Sequence, residues 1–156
     1  MQLITPPVGP VVALQDLREH LRVDGADEDA LIVSLEAAAV AYLDGWGGVL
    51  GRAIKEQTWA FQAIQGDIVS PLPDVISATQ DGQPITVADD VLTVPADGEV
   101  RITCALNVRY LPKVHLIVKM LVAHWYDNRS PVSDGTMQEV PMAADALITS
   151  MRWGRV

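Results

Sequence analysis

In 156 residues there is one cysteine, Cys104, and one phenylalanine, Phe61. A single thiol excludes an internal disulfide and any multi-cysteine metal site. It fits a reducing compartment, or an assembly made in one. Long apolar runs are also missing. The longest, VHLIVKMLVAHWY, has 13 residues and contains a Lys and two His, so it is too short and too polar for a membrane-spanning helix. The opening MQLITPPVGPVV has no cationic start and no extended apolar stretch, so it is not expected to act as a signal peptide. Basic charge is scarce in the first two thirds. Residues 1–100 hold 4 Lys+Arg against 16 Asp+Glu, a net of −12. That balance argues against a grip on nucleic acid through phosphates, which needs clustered Lys and Arg. Residues 101–156 reverse it, with 7 Lys+Arg against 4 Asp+Glu, and suit an acidic protein partner.

Apolar residues make up 49% of the chain, enough for a core. The prolines of ITPPVGP make the start an extended arm. Leu14, Leu17 and Leu21 lie at helical spacing, and after the turn VDGADED a second apolar stripe runs from Leu31 to Trp46. Asp27 is the expected N-cap of that second helix, and Gly45, Gly47 and Gly48 its stop. The period then changes. IKEQTWAFQAI is β-prone, Asp81-Gly82 marks a hairpin turn, and VLTVPADGEVRITCALN is expected to be a strand pair turning at Asp97-Gly98. In it Val100, Ile102, Cys104 and Leu106 alternate with Arg101, Thr103, Ala105 and Asn107, one face buried and one wet. Pro112 opens a helix apolar on almost every side, expected to be central and buried. SPVSDGTMQEVP reads as a loop, and MAADALITSM as a last short helix. The expected fold is α+β and mostly helical, one domain over 1–156. It has an N-terminal helical part (1–53), a small antiparallel β-element (54–108) inserted between the helices, and C-terminal helices and tail (109–156).

Nothing in this pattern assembles a catalytic or cofactor site. His115 and His124 are nine residues apart on one helix, hence on opposite faces. The acids from Asp24 to Asp29 fail the spacing of a calcium loop. The glycines of DGWGGVLGR match no phosphate motif and follow a helix instead of a strand. Cys104 faces inward as a small hydrophobe. In LVAHWYDNRS the side chains of His124, Asp127, Asn128 and Arg129 are spread around a helix that should end at Ser130-Pro131. A small hydrolase using His124 and Asp127 is the enzymatic alternative, and the helix spacing weighs against it. No metal and no cofactor is expected.

Taken in order, ITPPVGPVVALQDLREHLRV, DEDALIVSLEAAAVAYLDGWGG, GRAIKEQTW, VKMLVAHWYDNRSPV and VPMAADALITSMRW resemble the head–tail connector (adaptor) proteins of long-tailed bacteriophages, over nearly the whole chain. Two departures stand out. Val12-Ala13 replace the usual Thr or Ser before the first helix, and RWGRV replaces the Pro-Tyr-Arg element of many relatives. The resemblance implies a non-enzymatic virion neck protein, assembled in the host cytoplasm. It implies a ring, commonly of twelve copies, beneath the portal protein, which joins head to tail, extends the DNA channel and receives a stopper or tail-completion protein. DNA would pass without specific binding, and no membrane is involved. The tail would reach the portal through Arg152, Trp153, Arg155 and Val156. Trp125, Tyr126 and Trp46 would pack the core or the contact between protomers. A stopper or tail terminator is the alternative within the same class.

Overall fold

A computed structural model describes residues 1–128 and 141–154. The elements, in chain order, are β1 (Gln2–Thr5), α1 (Leu14–Leu21), α2 (Asp29–Leu43), β2 (Gln57–Ala63), β3 (Gly66–Val69), β4 (Val75–Gln80), β5 (Gln83–Pro84), β6 (Thr86–Ala88), β7 (Val91–Val94), β8 (Gly98–Cys104), α3 (Leu111–Asp127) and α4 (Met142–Met151). A 3-10 turn at Val108–Tyr110 leads into α3. One antiparallel sheet has the order β1-β2-β8-β4-β5, and a second the order β3-β7-β6.

This corrects the expected architecture. The protein is α+β, but it is not mostly helical, and the β-structure is not an insertion between helices. β1 precedes every helix and pairs antiparallel with β2, Leu3 opposite Trp59. An arm carrying Leu3, Ile4 and Thr5 can fill the open hydrogen-bonding edge of β2 until Pro6-Pro7 stop it. A second correction concerns 91–104. Both runs are strands, but they do not pair. β7 pairs β3 and β6, while β8 pairs β2 and β4. Pro95 separates them, and the Asp97 carboxylate takes the Gln65 amide at 2.7 Å, so this turn joins two sheets. Asp81-Gly82 does close a hairpin, with Gln80 opposite Gln83. Both residues have positive φ, 50° and 77°, as a two-residue primed turn needs.

The helical and sheet layers have separate apolar clusters. Val100, Ile102 and Cys104 point into the sheet cluster with Leu72, Leu92 and Val94, and the exposed Glu99 and Arg101 alternate with them. The helical cluster holds Leu17, Ile32, Leu43, Ile117, Leu121 and Ile148. Asp27 is not the cap of α2. The helix starts at Asp29 after Glu28, with no side-chain cap, and the Asp29 carboxylate instead holds the Arg18 guanidinium of α1, Nε to Oδ1 2.6 Å. Glu36 is buried in the apolar stripe of α2. Its Oε1 accepts the Val11 and Val12 amides at 2.8 and 3.2 Å. These donors lie just before α1, whose N-cap, Ala13, offers no side chain; a buried carboxylate so bonded avoids the cost of an unpaired charge.

Helix α3 is not buried all round. Val114, Ile117, Val118, Leu121 and Val122 form one buried face, while Pro112, Lys113 and Leu116 are exposed, Leu116 to 46%. The expected helix stop at Ser130-Pro131, the 129–140 part of the expected loop and Arg129 lie outside the described residues. One-sided burial predicts an asymmetry. Leu121→Ala should cost about 3 kcal/mol through its cavity. Leu116→Ala should change stability by no more than about 0.5 kcal/mol. Urea unfolding of the two variants checks this, and equal losses would contradict the one-sided packing.

Candidate functional site

The helix end that carries His124 does not form a reactive cluster. The Asn128 side-chain amide donates to the His124 carbonyl oxygen at 2.7 Å and lies 3.4 Å from its Nδ1. Asp127 is exposed. Among the described residues no hydrogen bond joins Asp127 to His124, and His124 Nε2 finds no partner. No group of three His, Cys, Asp or Glu among them could hold a metal. No described helix is long and apolar enough to cross a membrane. Cys104 is fully buried, and burial, followed by Asp90 and Asp74, pushes its thiol up to about 12. A thiol held protonated in this way is a poor nucleophile.

The three aromatics singled out in the sequence sit at different places. Trp125 and Tyr126 are half-buried against the helical cluster. The Tyr126 hydroxyl donates to the Glu28 carboxylate, which ties the end of α3 to the start of α2. Trp46 packs against the sheet cluster, so the structure does not bring it together with the other two.

The densest polar construction lies where α2 gives way to the sheet. After Leu43 the chain turns back within a few residues. The Val49 and Leu50 amides return to the Tyr42 and Leu43 carbonyls at 2.9 and 3.2 Å. Glycine is required here, because a Cβ on Gly48 would sit 2.3 Å from the carbonyl oxygens of Leu43 and Asp44. The Asp44 carboxylate is half-buried and accepts from the Ile54 amide at 2.7 Å and from Gln57 Nε2 at 2.9 and 3.0 Å. Gln57 Oε1 in turn accepts from Trp59 Nε1 at 3.0 Å. Burial raises the Asp44 pKa above its ordinary 3.8, and the bonds from Ile54, Gln57 and Gly45 offset part of that rise.

Arg52, eight residues on, gathers the remaining segments. Its Nε donates to the Met151 carbonyl at 2.7 Å, and one Nη donates to Asp74 Oδ2 at 2.6 Å. The guanidinium also lies 5.6 Å from the centres of both the Tyr110 and Trp153 rings, within cation–π reach. The C-terminal segment is fastened to the same loop. The Trp153 amide donates to the Leu50 carbonyl at 2.9 Å, and Arg152 Nε donates to the Val49 carbonyl at 2.9 Å. Glycines 47, 48 and 51 line a small cleft with Arg152, Trp153 and Gly154. Two of the tail residues singled out in the sequence, Arg152 and Trp153, are therefore side by side and bonded to their own chain. Arg155 and Val156 lie outside the described residues. Sequence reasoning missed Arg52, Asp74 and Asp44. The available signal was an Asp at a helix end followed by a glycine run and an Arg, which is too common to single out a junction.

Two outcomes follow from this junction. Arg52→Ala should cost about 2 kcal/mol, because it leaves the half-buried Asp74 and the Met151 carbonyl without their donor. Arg52→Lys should recover only part, since an ammonium lacks the planar fork. Urea unfolding together with hydrogen exchange at the Trp153 amide reads both. The second outcome is a pH dependence. A carboxyl whose pKa is raised on folding binds its proton more tightly in the native state, so its contribution to stability falls as pH rises from 3.8 through the raised value. Asp44→Asn should flatten that part of the profile of unfolding midpoint against pH, and an unaltered profile would refute this assignment.

No family model matches the chain, and no curated protein does. Solved structures do. A chain in the neck of an empty GTA particle, computed with C6 symmetry, superposes with a TM-score of 0.67 at 22% identity, covering 100% of this chain and 97% of that one. A chain in the virion of a native gene transfer agent (GTA) particle gives 0.65 at 19% identity, and one in the neck of a native GTA particle computed with C12 symmetry gives 0.61 at 19%, each with the same coverage. At these identities the likeness shows the fold alone: from end to end, this chain has the fold of chains built into those particles.

Proposed function

We propose that this protein is a non-enzymatic structural subunit of a phage-type virion neck. It works as a closed ring of identical copies that joins head to tail. The observation that carries this reading is the full-length likeness to chains of symmetric neck assemblies. A likeness confined to one layer would have meant a shared motif; this one spans both sheets and all the described helices. The finer role is that of an adaptor beneath the portal, with a stopper or tail-completion protein docked on its far side. DNA passes through the ring without being bound. A net charge of −9 favours passage, since a polyanion finds no matching cationic groove to adhere to. The reading places the protein in the virion neck, assembled in the host cytoplasm before incorporation.

The tail remains the proposed contact with the portal, through Arg152, Trp153, Arg155 and Val156, with Trp and Arg in the role they often take at interface centres. Its attachment changes how this must be tested. Met151 is in the core, and the Trp153 amide is bonded to Leu50, so removal of 151–156 would damage the fold as well as the contact. The informative variant stops after Gly154. It should unfold at the same temperature as the full chain and bind portal protein at least about ten-fold more weakly, a loss of about 1.4 kcal/mol. Equal binding would remove Arg155 and Val156 from the contact. For the ring itself, negative-stain microscopy and native mass spectrometry should show closed symmetric oligomers as concentration rises or on addition of portal protein. A strict monomer under both conditions would overturn the proposal.

A further inference from the structure

One helix face carries more apolar surface than its own chain covers. After Asp29 the only charged residue in α2 is Glu36, and it is buried. The outward side is formed by Ala30, Val33, Ser34, Ala37 and Ala41, all exposed, with Val33 at 50%. A helix apolar on every side belongs in an interior or an interface. This face also runs into a groove of about 620 Å³, where Val33, Ala37, Val40 and Ala41 meet Leu14 and Leu17 of α1 and the Pro7–Val12 arm.

A second uncovered face lies on α3, where Leu116, 46% exposed, is flanked by Pro112, Lys113 and Lys119. Just before it, in the 3-10 turn, are Val108, 75% exposed, and Arg109. The surroundings of the two faces differ in charge. Beside α2, the helix α1 and the following loop expose the four acids Asp16, Glu19, Asp24 and Asp27 against one exposed arginine, Arg22, whereas the α3 face is cationic. The two helices pack on each other through their buried faces, and their exposed faces are separate patches. Two different, complementary patches are what a head-to-tail contact needs in order to propagate and close.

Resting on the ring reading above, we propose that the exposed α2 face and its groove receive the α3 face of a neighbouring copy. Leu116 and Val108 would enter the apolar surface around Val33 and Ala37. Lys113, Lys119 and Arg109 would meet the acidic rim around α1. The apolar surface supplies the affinity, and the charges set which face meets which. A two-fold contact of α2 with α2 would instead pair like patches and stop at a dimer.

Two charge insertions test this, each on one face only: Ala37→Glu and Leu116→Glu. Both positions are exposed, so thermal unfolding should match the wild type. At concentrations where the wild-type chain assembles, each variant alone should remain monomeric in sedimentation velocity and native mass spectrometry. Mixed in equal amounts they should form one-to-one dimers that grow no further, because only the intact α3 face of the first and the intact α2 face of the second can meet. Should either variant fail to fold, Ser34→Arg or Lys113→Glu takes its place on the same face. Assembly of either variant as in the wild type, or a mixture that stays monomeric, overturns the pairing and leaves the ring standing. A wild-type chain that never associates overturns both.

Discussion

The guanidinium of Arg52 is the point on which the layers of this protein depend. One planar cation touches the end of α4 through Met151, the approach to β4 through Asp74, and the rings of Tyr110 and Trp153. Those segments are far apart in sequence, and no apolar cluster joins them all, because the helical and sheet clusters are separate. Arginine suits the position because its fork donates in two directions while its faces stack on aromatics. The neighbouring Asp44 does the complementary work, with one half-buried carboxylate gathering the Ile54 amide and the Gln57 side chain. Together they turn a helix stop into a rigid junction.

This junction also sets what the C-terminus can do. Arg152 and Trp153 are bonded to the Val49 and Leu50 carbonyls, so the base of the C-terminal segment is fixed. The portal contact proposed above gains from that, because the ordering entropy of its base is already lost before a partner arrives. The faces proposed for ring closure are on the helical layer, which has uncovered apolar surface on two sides. The exposed face of β8 alternates into charge and hydroxyl, as in Arg101 and Thr103.

Much of the local structure was legible in the residues. The leucines at 14, 17 and 21, the alternation through 100–106, the Pro112 helix start and the Asp81-Gly82 turn each report a period or a required φ, and these depend only on near neighbours. The candidate site was less legible. Tail residues Arg152 and Trp153 could be singled out as an aromatic, cationic pair, but nothing nearby in sequence announces that Val49 and Leu50 hold them. Two readings failed for the same reason. The run at 91–104 has the form of a hairpin, yet β7 and β8 lie in different sheets. Apolar residues on almost every side of α3 suggested a central, buried helix, yet its Leu116 side faces out.

The sequence by itself determined the main helices, the alternating strand through 100–104 and the hairpin at Asp81-Gly82, and that no metal cage of cysteines could be built. These follow from side-chain period, backbone preference and composition. The tertiary structure alone decided that the N-terminal arm becomes an edge strand, that the charge of Glu36 is buried against the Val11 and Val12 amides, and that Arg52 binds the tail. Each of these joins groups distant along the chain, and such pairings are chosen by the shape and unmet hydrogen bonds of surfaces that exist only after folding.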